Sequence, residues 1–195
     1  MATKRLQMMA ETRARLIEAG RRAFATQGYS AASMDELTAE AGVTRGALYH
    51  NFGDKKGLLR AVVAQVDAEM IARLKAARDP VDDPWESFLK ELVAYIETAL
   101  EPEVQRIMLL DGPAVLGHPS SWPNQTACLQ EVTEVLSQLI AAGTVRSVNA
   151  EAAARLLNGA ALDASLWVAA SDDPQAVKAE AVKAFRALAE GLLAR

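Results

Sequence analysis

Cysteine occurs once in 195 residues, at Cys128, so no disulfide can form within this chain. A lone thiol fits a reducing compartment, and its small apolar side chain suits a buried position. Glycine (11) and proline (7) are sparse, which argues against a low-complexity chain. No apolar run approaches the roughly 18–20 residues needed to cross a bilayer. The N-terminus, MATKRLQMMAETRARL, carries charge but no apolar stretch of the kind a secretory leader requires. No segment alternates apolar and polar residues with the period of two that marks a half-buried strand. These absences lead to the expectation of a cytoplasmic helical protein with no membrane partner.

Catalytic chemistry is also thinly provided. There are two histidines, His50 and His118, and no metal-ligand spacing, phosphate-cradling glycine loop or nucleophile elbow. Asp82-Asp83 and Asp172-Asp173 sit beside prolines and read as solvated helix caps, not as an acid–base pair. The sequence therefore does not read as an enzyme, and no cofactor or metal is expected.

What is present is material for a helical core. Hydrophobic residues make up 51% of the chain against 24% charged, and alanine, leucine, glutamate and arginine are prominent. The net charge of −4 is unevenly spread. Residues 1–60 hold ten basic and six acidic side chains, a balance of +4, so the remainder carries −8. A basic head on an acidic body suits contact with a polyanion, although chance clustering on a solvated face would give the same totals.

Helical spacing and capping residues divide the chain further. Ile17, Gly20, Ala23 and Phe24 place one amphipathic helix over Glu11–Gln27, ended by Gly28. Ser33, with Glu36 three residues on, has the pattern of a capping box for a short second helix from Met34. Thr44 caps a third helix from Arg45 to about Asn51, and Asp54 caps a fourth running to Arg78. After a proline-bounded break at residues 80–84, a fifth helix carries Trp85, Phe88, Leu89, Leu92, Tyr95 and Ile96 at helical spacing. A shorter helix starts at Pro102, and GPAVLGHPSSWPNQ then shows no helical pattern. Three long helices follow over residues 125–142, 150–170 and 174–193, with Asn149 and Asp173 as caps of the last two. The expected fold class is all-α, with about nine helices.

The second and third helices are spaced as a helix-turn-helix. Leu37, Val43 and Leu48 can form the small core between them, Ala41 allows close approach, and Gly42 supplies the positive φ of a tight turn. A purely structural helical corner could share some of these features. Here the sequence resembles the TetR (tetracycline-repressor-like) family of bacterial regulators. The likeness is carried by RARLIEAGRRAFATQGY and by GYSAASMDELTAEAGVTRGALYHNFGDKKGLLRAVV, of which ALYHNFGDKKGLL is the most diagnostic part.

The resemblance implies a helix-turn-helix DNA-binding domain over residues 1–56 and a helical ligand-binding and dimerisation domain over 57–195. It implies a dimeric repressor, released from a palindromic double-stranded DNA operator by a small-molecule effector of unknown identity. The alternative is a helical ligand-binding or interaction module without sequence-specific DNA binding.

Ser33 and Thr44, at helix N-termini, are candidates for backbone phosphates. Arg45 is the candidate for base edges, preferably guanine. Gly46 costs helix propensity, and clearance for the DNA backbone would explain it. The resemblance places Tyr49, His50 and Lys55 at phosphate-contacting positions, and Lys4, Arg5 and Arg13 either touch flanking DNA or belong to an unordered arm. Trp85, Phe88, Tyr95, Met108, Asp111, His118 and Trp122 are candidates for lining an effector pocket, with the irregular stretch as its mouth. The last two helices, one carrying Leu156, Leu157, Trp167 and Val168 beside small residues and the other Val177, Ala181, Phe185, Leu188 and Leu192, could pair closely with their symmetry mates, and the resemblance implies that they build the homodimer interface.

Overall fold

The structure, a computed structural model, describes residues 2–76 and 83–194. Helix α1 (Ala2–Gln27) packs on α2 (Met34–Glu40), α3 (Arg45–Phe52) and α4 (Lys55–Ala76). The body adds α5 (Pro84–Glu97), a 3-10 turn at Thr98–Leu100, and α6 (Pro102–Val104). Helix α6 runs through a π-helical stretch, Gln105–Asp111, into α7 (Gly112–Leu116). A second 3-10 turn at Pro119–Ser121 leads into α8 (Pro123–Ala141), α9 (Ala150–Ala170) and α10 (Pro174–Glu190). Counting α6 to α7 as one continuous helix gives nine helical bodies among the described residues. The chain is all-α; one isolated antiparallel bridge, Val145 with Leu193, pins its end against the α8–α9 connection.

Helix α1 begins nine residues before the expected Glu11, so Lys4 and Arg5 stand on a helix and not in an unordered arm. Its buried stripe is Leu16, Ala19, Gly20, Ala23 and Phe24, with Ile17 only half-buried. In the turn between α2 and α3, Gly42 has φ of 62° and Val43 N–H donates to the Thr38 carbonyl at 3.0 Å. Leu37 and Leu48 are fully buried beneath that turn, Ala41 nearly so, and Val43 half so.

Two local expectations need correction. Ser33 holds the N-cap position by its backbone, but its hydroxyl makes no capping hydrogen bond and no reciprocal bond from Glu36 forms. The stretch from Gly112 to Gln125 contains one helix, one 3-10 turn and the start of α8. Pro119 and Pro123 sit in the first turns of the 3-10 turn and α8, where a missing N–H breaks no hydrogen bond, whereas Pro113 lies where the π-helical stretch passes into α7. The break at residues 80–84 lies outside the described residues except for Asp83 and Pro84, as does Arg78, the expected end of the fourth helix. Asp83 caps α5 through Trp85 N–H at 2.9 Å.

Helix α4 joins head to body. Its residues Leu58, Leu59, Val62, Val63, Val66 and Met70 are buried, in one apolar cluster that continues from Leu16 in α1 to Ala189 in α10. The 56/57 boundary expected from the sequence falls in the first turn of α4. In the body, α9 lies between α8 and α10 and packs on α5. Leu157, Ala161, Val168, Ala181 and Phe185 face this interior, whereas Leu156, Trp167 and Leu188 are 74%, 55% and 68% exposed.

Candidate nucleic-acid interface and effector cleft

Helix α3 is held from one side and open on the other. Thr44 caps it, its Oγ1 accepting from Ala47 N–H at 3.2 Å, and Leu48 anchors it to the core. Arg45, Gly46, Tyr49 and His50 lie on the exposed side. Arg45 Nη1 pairs with Asp35 Oδ1 of α2 at 3.2 Å, with both side chains more than half exposed. Such a pair is worth at most about 1 kcal/mol, so it orients the guanidinium without locking it. At Gly46 an added Cβ would find only Thr44 Oγ1, at 3.7 Å. The space outside this helix turn is empty.

The C-terminal end of α3 engages Arg13, which donates to the Asn51 carbonyl at 3.2 Å and stacks 4.5 Å from the Phe52 ring centroid. A cation there complements the helix dipole, so Arg13 has a structural role that the sequence did not reveal. Lys4, Arg5, Met8, Met9 and Thr12 of α1 form a shallow trough with Ala47, His50 and Asn51 of α3. The first turns of α1 thereby extend the basic surface around the exposed side of α3.

Lys55 begins α4, where Asp54 Oδ1 accepts Gly57 N–H at 2.6 Å. Its Nζ donates to the Ser30 carbonyl at 3.3 Å and lies 4.7 Å from the Tyr29 ring centroid. Partial burial pushes the Lys55 pKa down, and the Asp111 carboxylate opposes that shift. Asp111 itself accepts Tyr29 N–H at 2.7 Å and Arg106 Nε at 3.2 Å. It therefore ties the π-helical stretch to the head, and it is not among the residues lining the body's cleft between α4, α5, α8 and α9. A second tie runs beside it: Arg21 of α1 pairs with Glu103 at 2.6 Å and Glu69 at 2.7 Å.

That cleft, walled by α4, α5, α8 and α9, opens to solvent and has a cavity volume of about 70 Å³. Of the seven pocket candidates, Phe88 and Tyr95 line it. Trp85 is instead a core residue, 3% exposed against Phe88, and its Nε1 has no hydrogen-bond partner among the described residues. Met108 and Trp122 bound a small separate void with Tyr95, and the Trp122 Nε1–H donates to the Gly117 carbonyl at 3.1 Å. His118 is exposed, 2.8 Å from Ser120 Oγ, and borders a shallow depression along α9.

The sequence reading missed Asp67, Lys75, Glu131 and Asn158, which also line the cleft. Asp67 is 2% exposed in the buried stripe of α4. Burial pushes its pKa up, while a hydrogen bond with the Asn124 side chain opposes the rise. An acidic residue within the apolar run of α4 was the one legible sign of this site.

Comparisons with known proteins identify the architecture. Residues 16–62 match the family model described as bacterial regulatory proteins, tetR family, and residues 85–192 match a tetracyclin repressor-like C-terminal domain. The chain belongs to the TetR family. A TetR-family transcriptional regulator from Pectobacterium atrosepticum is 46% identical, with 97% of both chains covered and a TM-score of 0.88. The helix-turn-helix-type transcriptional regulator AcrR of Shigella flexneri is 28% identical over 67% of this chain, and SrpR of Pseudomonas putida is 31% identical over 57%. Those matches span 60% and 52% of the two relatives. Among the described residues, no helix is long and apolar enough to cross a membrane.

Proposed function

We propose that this TetR-family chain is a cytoplasmic, dimeric transcriptional repressor whose head binds a palindromic DNA operator and whose body releases it on binding a small molecule. The open face of α3 carries the reading: Arg45, Gly46, Tyr49 and His50 are exposed together on a capped helix whose opposite side is anchored by Leu48. In this reading Arg45 meets base edges in the major groove. The α3 N-terminus, Ser33, Tyr49, His50 and Lys55 hold phosphates and set the register. The uncovered apolar residues Leu156, Trp167 and Leu188 of α9 and α10 form a two-fold dimer contact, which spaces two heads along one duplex.

The test is selection from random duplex DNA followed by fluorescence anisotropy across a salt series. A palindrome should emerge, bound with an affinity that falls steeply with salt as counterions are released. Arg45→Ala should cost about 1–3 kcal/mol and relax one base position, whereas Lys55→Ala should weaken all sequences alike. Recovery of no palindrome would remove the reading.

A further inference from the structure

The cleft between α4, α5, α8 and α9 has apolar walls, including Phe88, Leu92, Val132 and Leu162, around a buried carboxylate. That carboxylate belongs to Asp67; burial pushes its pKa up, and a hydrogen bond with the Asn124 side chain opposes the rise. Two groups on other helices register the same negative potential. Tyr95 of α5 is pushed up by burial, then by Asp67 and Cys128. Cys128 of α8 is pushed up to about 11 by burial, then by Asp67, Glu131 and Glu91, with Lys75 opposing.

The basic side chain that lines the cleft is Lys75, and it is committed to Glu131, its Nζ 2.6 Å from the carboxylate with both partners partly exposed. The cleft thus combines apolar walls with a buried carboxylate, and the one basic residue lining it among the described residues, Lys75, is already paired with Glu131. A buried carboxylate in that setting is stabilised most by a ligand that brings its own positive charge, because the pair interacts strongly where water is excluded.

We propose that the effector is an organic cation with an apolar body, such as a protonated amine, whose charge pairs with Asp67 while its body lies against Phe88, Leu92 and Val132. This rests on the reading of the cleft as the effector site. An anionic ligand would meet the Asp67 carboxylate, and a neutral one would bring no charge to oppose it.

The experiment uses three probes with one apolar body and different charge: naphthylethylamine, naphthylethanol and naphthylacetate. Calorimetric titration into the 195-residue chain should show the amine binding about tenfold or more tighter than the alcohol, with the acid weakest. Asp67→Asn should bring the amine to within about threefold of the alcohol and leave the alcohol unchanged, whereas Asp67→Glu should retain the amine preference. If Asp67→Asn does not fold, the ranking of probes on the natural chain still decides. An amine that fails to bind, or binds no tighter than the alcohol or acid, overturns the proposal.

Operator binding is measured separately on the same protein. A chain that binds a selected palindrome but prefers no cation loses the cation proposal and keeps the regulator reading. One that prefers the amine but binds no DNA does the reverse.

Discussion

Gly46→Ala sets the two demands on α3 against each other. In the interior of a helix, glycine is about 1 kcal/mol less favourable than alanine, chiefly through backbone entropy. Gly46 is the second residue of α3, so a gain of about 0.5–1 kcal/mol is expected from this substitution. Nothing in the free protein opposes it: the added methyl would sit 3.7 Å from Thr44 Oγ1, an ordinary contact. For a chain of this size that gain corresponds to a rise in Tm of about 1–4 °C. At a duplex the same methyl would occupy the clearance between α3 and the sugar-phosphate backbone. Displacing the helix by even part of a methyl diameter disturbs several charge-assisted hydrogen bonds, so a loss of about ten- to a hundredfold in operator affinity is expected, or roughly 1.4–2.8 kcal/mol.

Thermal melts followed by circular dichroism read the first quantity, and anisotropy at fixed salt reads the second. A more stable protein that binds DNA less tightly supports clearance as the reason for glycine. A variant that is more stable and binds DNA with unchanged affinity would refute that reasoning. A less stable variant would contradict the open space seen outside α3.

Thr44→Ala should destabilise the chain by about 1 kcal/mol in urea unfolding, through loss of the Ala47 cap, and should also weaken operator binding. Asp111→Ala removes the acceptor of Tyr29 N–H and the partner of Arg106, and should cost about 1–3 kcal/mol by the same measurement. Asp67→Asn should raise Tm at neutral pH. The folded-state pKa of Asp67 lies above its unfolded value, so its carboxylate costs stability that grows as pH rises from about 4 through the folded pKa. The gain from asparagine should therefore disappear below about pH 4, and a gain independent of pH would contradict the burial argument. Trp167→Glu, on the outward side of α9, should shift sedimentation from dimer to monomer, and an unchanged dimer would place the interface elsewhere.

Local chemistry was legible in the sequence; distant packing was not. Gly42, Thr44, Asn149 and Asp173 each act within three or four residues of themselves, and the structure has each in the role its type implies. Ser33 is the exception: it is half-buried, so its rotamer answers to its neighbours as well as to the helix it precedes. The prolines of residues 112–123 read as a break because proline is unfavourable inside a helix, yet Pro119 and Pro123 occupy first turns, where proline is well suited, and Pro113 is carried where the π-helical stretch passes into α7. Aromatic spacing identified α5 but could not separate its core residue Trp85 from its cleft residues Phe88 and Tyr95. That distinction depends on where α8 and α9 lie, which no pattern within α5 encodes.

Asp67 connects what was missed with what was seen. It lies twelve residues beyond Lys55 on the same helix, a rise of roughly 18 Å at 1.5 Å per residue. A change in packing at Asp67, Ile71 and Leu74 therefore reaches the candidate phosphate contact through a continuous helix. The head is also tied to the body by Asp111 at Tyr29, beside Lys55 itself. An effector changes operator affinity only if its contacts differ between two placements of the head. A charge entering beside Asp67 would act directly on α4, the helix that carries Lys55. The position of the buried carboxylate on α4 is what would let a ligand in this cleft act on the head.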